Sequence, residues 1–332
     1  MSSPKLICLT PVRNEQWCLK PFLKAASIWA DHILIANQHS TDDSAQIAAE
    51  FEKVMLIENK DDVYNEASRQ SLLIAEARKI PGNKILVALD ADEMFSPNFL
   101  NTNDWQRILN SAPGEVFGLK WVNIEPNWKQ YTSPDFYYPW IFHDDGITEH
   151  KNYVRAIHSM RIPYPIEADA HGYNQVNDFK VLHFAHLNPS RQKSKARYYQ
   201  MTEILQGEFT NPIAAYRTYT PHNNQKMYDF PSTWLEKYKK IGIDLKSEID
   251  IESVSNWFDQ MTMEYLNKFG ANRFGKIDIW REKWLSNDGR KVYKDPRTLS
   301  IKLLHMYLKL THPFYPARLI RLFDKGIKYC FL

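Results

Sequence analysis

Up to residue 90, short apolar runs alternate with longer segments in which apolar residues recur at helical spacing. The apolar runs predict β-strands, and the spaced segments predict α-helices between them. The predicted strands span residues 5–9, 32–36, 54–57 and 85–89, and the predicted helices span 17–29, 42–51 and 63–80. Because strands that alternate with helices form parallel sheets with right-handed crossovers, this pattern predicts an α/β fold.

Beyond residue 93 the pattern becomes less regular. Residues 116–124 alternate as one further strand, and residues 125–190 contain short strands interrupted by Pro, Gly, Asp and His. Farther along, helical spacing returns, at 191–205, 231–241 and 251–269. We therefore expect a mixed, mostly parallel sheet flanked by helices, with a helical C-terminal extension.

The segment 301–332 combines apolar residues with an excess of basic ones. Its pattern predicts two amphipathic helices hinged near Pro313 and Pro316. Basic amphipathic helices lie on anionic membrane surfaces, but they also pack on a protein core with their basic side chains outward. The sequence leaves both alternatives open.

The 332 residues carry a formal net charge of +3, so a nucleic-acid partner is not indicated. The three cysteines, Cys8, Cys18 and Cys330, have neither zinc-site spacing nor the even number of a disulfide framework. Residues 1–9 contain no signal-peptide pattern, and no uncharged apolar run has the length of a membrane span. We expect a cytoplasmic protein, with peripheral association at the inner face of the cell membrane as an alternative.

The predicted strand 85–89 is apolar throughout, which is typical of a central strand buried on both faces. It ends in Asp90, Ala91, Asp92 and Glu93. Open α/β sheets bind ligands beside the carboxyl ends of their strands, and neighbouring carboxylates there favour a hard divalent cation. The alternative is that these acids only cap a turn. Their position at the end of a buried strand favours the metal site.

Four segments resemble, in order and spacing, the family 2 glycosyltransferases of the GT-A fold. They are residues 10–15 (TPVRNE), 40–44 (STDDS), 65–69 (NEASR) and 90–92 (DAD). Residues 136–200 are similar, more weakly, to bacterial members of the family that act on surface polysaccharides and lipooligosaccharides.

The resemblance implies a division of the chain into three parts. Residues 1–125 would form the nucleotide-sugar-binding half of the GT-A domain, and residues 126–205 its acceptor-side half. Residues 206–332 would then be a helical C-terminal extension, in which no family pattern is recognised beyond residue 205.

The same resemblance implies transfer of a sugar from a nucleotide-diphosphate-sugar to a hydroxyl of a glycan or glycolipid, with inversion and with Mn²⁺ or Mg²⁺ as cofactor. The family commonly has two aspartates after its second strand, where this chain has Asn37 and Gln38. UDP-sugars are the first expectation, and this departure leaves the base open. The implied nucleotide-sugar-binding residues are Pro11, Arg13, Asn14, Glu15, Asn37, Ser40, Arg69, Asp90 and Ala91.

For the metal, the resemblance implies Asp92 as a ligand, Asp90 as a ligand directly or through water, and a histidine far downstream. His183 and His186 are the candidates, and an extended strand would direct them to opposite faces. We favour His183 because it lies within the apolar run. A hydrogen-bonded core histidine is the alternative.

An inverting enzyme needs a base, normally a carboxylate, that takes the proton of the acceptor hydroxyl. The candidates are Asp144, Asp145 and Glu149, together with Glu167 and Asp169 farther along the chain. We favour Asp145, with Asp144 beside it, although Asp145 followed by glycine is also a hairpin-turn signal.

Two other functions stay open. A sugar nucleotidyltransferase usually carries a Gly-rich loop after its first strand, whereas residues 11–15 contain no glycine. A catalytically inactive GT-A domain that binds a glycan or a protein partner is compatible with Asn37 and Gln38 and with the open choice of base.

Overall fold

The computed structural model describes residues 3–150, 157–164, 172–207, 211–221, 225–253, 257–280 and 293–328. The chain divides into two compact units. The first unit comprises Met1–Asn188 and Met227–Ser255, and the second comprises Pro189–Lys226 and Asn256–Leu332. The first is an α/β unit and the second is helical.

The strands of the first unit form two sheets. The larger, seven-stranded sheet has the order β10-β6-β9-β4-β1-β2-β3, and the five-stranded sheet has the order β12-β8-β7-β11-β5. The strands are β1 (Lys5–Val12), β2 (His32–Asn37), β3 (Val54–Glu58), β4 (Lys84–Ala88), β5 (Glu93–Phe95), β6 (Val116–Leu119), β7 (Trp121–Ile124), β8 (Gln130–Thr132), β9 (Tyr138–Asp144), β10 (Asn174–Gln175), β11 (Val181–His183) and β12 (Met227–Asp229).

The α-helices lie in both units. Those of the first unit are α1 (Gln16–Ser27), α2 (Ser44–Ala49), α3 (Glu66–Lys79), α4 (Asn103–Leu109), α7 (Ser232–Lys240) and α8 (Leu245–Glu248). Those of the second unit are α5 (Pro189–Leu205), α6 (Pro212–Tyr219), α9 (Trp257–Phe269), α10 (Leu299–Thr311) and α11 (Arg318–Lys328).

The four strands β1 to β4 are parallel; β1, β2 and β4 are buried on both faces, whereas β3, at the edge of the sheet, is partly exposed. Successive residues of a strand point to opposite faces. Cys8 of β1 therefore packs in one core cluster together with α1, while Ile7 and Leu9 pack in a second cluster together with α3. This arrangement confirms the expected mixed, mostly parallel sheet flanked by helices.

The expected single strand at 116–124 is wrong, because the chain changes sheet within it. β6 pairs with β9 in the larger sheet, whereas β7 pairs with β11 and β8 in the smaller one. The alternation of apolar residues shifts by one residue at Trp121 and Val122, but no turn residue separates Leu119 from Trp121, so the segment still resembles one strand.

The compact units also differ from the expected three-part division. Helix α5 belongs to the second, helical unit, although the resemblance placed it in the acceptor-side half. Residues 227–255 return to the first unit, where Tyr238 of α7 is fully buried in the α/β core.

The second unit has its own apolar clusters. Tyr198 of α5 packs against Trp257, Phe258 and Tyr265 of α9. Leu304 and the other inward-facing apolar residues of α10 pack with α6 in a separate cluster. Within the described residues, no helix is both long enough and apolar enough to cross a membrane.

Candidate functional site

The segment Asp90–Glu93, here called the acidic turn, connects β4 to β5. The backbone N–H of Glu93 donates to the carbonyl of Asp90 at 2.9 Å, so the chain turns here and is not extended. Asp90 and Asp92 are therefore not placed by the alternation of a β-strand. Glu93 is fully buried, Asp92 is nearly so, and the side chain of Asp90 is 31% exposed.

Strand β11 brings His183 to the acidic turn. β11 lies between β5 and β7, with His183 opposite Glu93 on one side and opposite Asn123 on the other. The backbone N–H of Phe184 also donates to the carbonyl of Asp92 at 2.9 Å. As a result, His183 Nε2 lies 3.8 Å from Asp92 Oδ2.

Asn123 determines which nitrogen of His183 carries the proton. Its amide oxygen lies 2.7 Å from His183 Nδ1, and an amide oxygen can only accept. Nδ1 therefore donates, and the lone pair of the neutral ring is on Nε2, which faces Asp92. A histidine oriented in this way is prepared to act as a metal ligand through Nε2.

Among the described residues, no group of three or more His, Cys, Asp or Glu side chains is arranged to hold a metal ion. Asp92 and His183 form a pair. Mg²⁺ and Mn²⁺ sites for phosphorylated substrates commonly use one or two protein carboxylates, with substrate phosphates and waters as the other ligands. The pair therefore fits a divalent cation that is completed by a bound substrate.

Arg161 is a member of the site that the sequence analysis missed. Its guanidinium donates to Asp90 Oδ2 and to Glu93 Oε2, both at 2.6 Å. It also lies over the rings of Trp121 and Tyr138, 5.5 and 5.9 Å from their centroids. Burial lowers the pKa of Arg161, but the carboxylates of Asp90 and Glu93 raise it more, so the group stays charged.

Glu93 holds the acidic turn in place. Its carboxylate accepts from the backbone N–H of Asp90 at 3.0 Å and from the indole N–H groups of Trp121 at 2.8 Å and Trp140 at 3.3 Å, in addition to Arg161. Burial raises the pKa of Glu93 to about 7, and Arg161 opposes that rise. Because these donors enclose the Glu93 carboxylate, its role is to position the acidic turn and not to contact a substrate.

The loops after β1 and β2 are joined to each other. The backbone N–H of Asn14 donates to Ser40 Oγ at 3.0 Å, and the Asn14 side-chain oxygen accepts from the N–H of Thr41 at 2.7 Å. Asn14 has a φ of 55°, a left-handed conformation that asparagine tolerates better than most residues. The N–H of Glu15 donates to Ser44 Oγ at 2.9 Å. These contacts bring the first two predicted nucleotide-binding segments together.

The other predicted nucleotide-binding residues of these strands lie at the same edge. Pro11 and Arg13 are in and directly after β1, and Asn37 is the last residue of β2. The amide nitrogen of Asn37 donates to both oxygens of Glu58, at 3.1 and 3.2 Å. Its amide oxygen is buried and accepts no hydrogen bond from the part of the chain that is described.

Arg69 lies in the first part of α3, where the side chain of Asn65 caps the helix by accepting from the N–H of Ser68. Its guanidinium lies 4.4 Å from the centroid of the Tyr64 ring and donates to the Tyr64 hydroxyl at 3.2 Å. Because α3 follows β3, its N-terminal end lies on the side of the sheet where β1 to β4 end.

The two favoured base candidates do not lie with the acidic turn. Asp144 pairs with Lys84, at the start of β4, whereas Asp90 follows the end of that strand. At about 3.3 Å per residue, the two positions are roughly 20 Å apart. Asp144 forms an ion pair with Arg78, and Asp145 accepts from the N–H and hydroxyl of Thr148. The expectation that either group reaches the reacting atoms is corrected by this placement.

Of the other base candidates, Glu149 lies between Thr148, whose carbonyl accepts from Arg78, and His150, whose ring contacts Ser71 of α3. Glu167 and Asp169 lie outside the described residues. Glu125, which the sequence analysis did not consider, directly follows β7. Its carboxylate lies 3.6 Å from His186 Nδ1, and the His186 ring lies 6.2 Å from the His183 ring. The signal for Glu125 was its position two residues after Asn123, at the end of a strand.

No family model matches the chain, and a search of curated proteins finds no match. Among solved structures, glucosyl-3-phosphoglycerate synthase from Mycobacterium tuberculosis, in complex with Mn²⁺, UDP and glucosyl-3-phosphoglycerate, aligns over 36% of this chain and 44% of that chain, with 15% identity and a TM-score of 0.27. A further structure of that synthase aligns over 37% of this chain and 46% of its own chain, with 15% identity and a TM-score of 0.28. A structure described as a mycobacterial protein aligns over 36% and 41%, with 13% identity and a TM-score of 0.28.

The chain thus spans less than half the length of these solved structures. A similarity of this extent assigns no activity to the chain.

Proposed function

We propose that the protein is a family 2 glycosyltransferase of the GT-A fold that moves a sugar from a nucleotide-diphosphate-sugar to a hydroxyl of a glycan or glycolipid. The observation that carries the proposal is the approach of His183 Nε2 to Asp92 Oδ2, at 3.8 Å. The pair joins the acidic turn to a downstream histidine, as the sequence resemblance requires. It follows the carboxyl end of a parallel strand, where open α/β sheets bind their ligands.

Asp92 and His183 are the residues that would hold Mn²⁺ or Mg²⁺, with donor phosphates and water as the remaining ligands. The bound cation would supply Lewis-acid stabilisation of the leaving nucleoside diphosphate. Asp90 has a different role in this account, because Arg161 already neutralises it. Its partly exposed carboxylate is suited to accept a hydrogen bond from a ribose hydroxyl.

The donor nucleoside would bind between the loops after β1 and β2. Because Glu58 already engages the amide nitrogen of Asn37, only the amide oxygen is available to a ligand, and it is an acceptor. An acceptor there can pair with the ring N–H of uracil, and it can equally accept from the exocyclic amino group of cytosine or adenine, so it does not by itself select the base. The family resemblance makes UDP-sugars the donors to test first, with Arg69 as a cation near the diphosphate.

Glu125 is the carboxylate that we assign to take the proton of the acceptor hydroxyl. It lies beside His186, on the side of β7 and β11 that carries Asn123 and His183. Glu93 is unsuited to this role because it is fully buried and already accepts four hydrogen bonds. A single carboxylate base and a directly attacking hydroxyl would give inversion at the sugar.

The test is the release of nucleoside diphosphate from a panel of nucleotide sugars in the presence of Mn²⁺, with and without a glycolipid extract as acceptor. Wild-type protein should release UDP faster than the other nucleotides, and Asp92→Asn should abolish the release. Glu125→Gln should lower transfer by about 10²- to 10⁴-fold, the range for loss of a general base, and leave donor binding unchanged.

The matched control is Glu52→Gln, which removes an exposed carboxylate in the turn before β3, at the far end of the sheet. It should behave as wild type. Binding of a nucleotide sugar without release from any donor would contradict the transferase and favour the inactive, glycan- or partner-binding domain.

A further inference from the structure

Four apolar side chains of α10 point away from the protein. Leu299, Leu303, Met306 and Leu310 are each between 52% and 74% exposed. Their spacing of four, three and four residues puts them within an arc of about 60° on one side of the helix. The opposite side of α10 is buried, so this exposed stripe is separate from the face that packs on the core.

Helix α11 has a second exposed apolar group. Leu319, Leu322 and Phe323 lie on one side of the helix and are between 57% and 65% exposed. Phe314, in the segment that connects the two helices, is 66% exposed. Scattered exposed apolar residues are ordinary on protein surfaces, but seven of them on two consecutive helices, with Phe314 in the segment between, form a concentrated patch.

Both helices are fixed to the helical unit by their other faces. Arg217 of α6 donates to both oxygens of Asp324 on α11, and Tyr307 of α10 also donates to Asp324, at 3.0 Å. Leu304 and Leu308 of α10 pack beside Tyr216 of α6. The exposed apolar residues therefore lie on the faces of α10 and α11 that do not pack against the helical unit.

The exposed charges on the two helices themselves have one sign, although Lys302 lies 3.6 Å from Asp295, which precedes α10. Helices α10 and α11 contain six basic residues and one acidic residue, Asp324, which is buried in its ion pair with Arg217. Every charged side chain that these helices present to the outside is thus basic. The six are Lys302, Lys309, Arg318, Arg321, Lys325 and Lys328, and all are exposed.

We propose that this surface, the outer sides of α10 and α11 with Phe314, docks on an anionic lipid bilayer. The helices would lie in the interfacial plane, with Leu and Phe side chains among the acyl chains and Lys and Arg side chains at anionic headgroups. A second copy of the chain is a poor partner for this surface, because a symmetric dimer would place the basic residues of the two copies next to each other. The inference goes beyond the proposed transferase and does not depend on it.

The test is co-sedimentation of the full chain with vesicles of phosphatidylcholine alone and of equimolar phosphatidylcholine and phosphatidylglycerol. The protein should bind the anionic vesicles at least about tenfold more tightly, and added salt should weaken the binding because it screens the headgroup charge. The variant Leu319→Ser/Leu322→Ser/Phe323→Ser and the variant Arg318→Glu/Lys325→Glu should each lose most of it.

Two control variants keep the test specific. Ile147→Ser removes an apolar side chain that is 82% exposed in the other unit, and Lys237→Glu reverses an exposed charge on α7. Both should bind vesicles as wild type does, and all variants should keep the melting temperature. The proposal is overturned if wild type does not bind anionic vesicles, if the surface variants bind as well as wild type, or if the same variants instead abolish a dimer seen by light scattering.

Discussion

At the scale of single residues, Arg161 forms ion pairs with two carboxylates at once. It joins Asp90 to Glu93, which is fully buried, and lies over two aromatic rings. The three acidic side chains of the turn and one guanidinium leave a net charge of −2 when all are ionised, which one divalent cation would balance. Because burial raises the pKa of Glu93 to about 7, this balance holds only while Glu93 is ionised.

Arg161→Gln should lower the free energy of unfolding by about 3 kcal/mol, because it leaves the buried Glu93 without its cation. Chemical denaturation with and without Glu93→Gln measures the effect, and the double variant should lose less than the sum of the two single variants. Arg107→Gln removes a half-exposed partner of Asp104 and should cost under about 1 kcal/mol. Equal losses in the Arg161 and Arg107 variants would contradict the assigned role.

Asn123 orients His183, and its contribution can be measured without substrate. Asn123→Leu should weaken Mn²⁺ binding by about tenfold or more, the usual consequence of losing the partner of a ligating histidine. Electron paramagnetic resonance of free Mn²⁺ during a titration gives the affinity directly. Asn127→Leu, in the exposed β7–β8 turn, is the control. An unchanged affinity in Asn123→Leu would mean that His183 is not a ligand.

At the scale of elements, the strands and helices that a local apolar pattern defines could be predicted from the sequence. The pairing of strands that lie far apart in the chain could not. Strands β1 to β4 and helices α1 to α3 were predictable to within a few residues, because their apolar periodicity is local. The insertion of β11 between β5 and β7 was not predictable, because strand pairing depends on the whole sheet. That insertion is what brings His183 to Asp92.

The same distinction applies to the site. Asp92 and His183 carried signals in their own segments, a strand end and an apolar run. Arg161 is separated from its partners by 68 and 71 residues, and its own segment carries no pattern that indicates them. Asp144 and Asp145 were misplaced because only the antiparallel direction of β9 puts them at the far end of β4.

Helix α11 depends on one buried ion pair. Asp324→Ala should lower the free energy of unfolding of the second unit by about 3 kcal/mol, because Arg217 would stay buried without its carboxylate. Thermal denaturation followed by circular dichroism measures this. Glu50→Ala removes one partner of an exposed pair with Lys20 and should change stability by less than about 1 kcal/mol. A similar small loss in Asp324→Ala would show that α11 is held by other contacts.

At the scale of the whole molecule, the chain consists of an α/β unit with the candidate site and a helical unit with the basic apolar surface. The sequence predicted the sheet and the helical C-terminal part, but it did not predict that α5 belongs to the helical unit while residues 227–255 return to the α/β unit. The unit to which a segment belongs depends on the apolar core that it fills. The periodicity of the segment itself does not indicate which core that is. The metal, the donor and the membrane surface stay predictions at this scale.

The most direct measurement of the central claim is a calorimetric titration of the protein with UDP, with and without Mn²⁺. The account predicts binding that requires the metal, that is lost in Asp92→Asn and weakened in His183→Gln, and that is unchanged in Glu52→Gln. Binding that is independent of Mn²⁺ and insensitive to Asp92→Asn, or no binding of any nucleoside diphosphate, would contradict the proposed donor site.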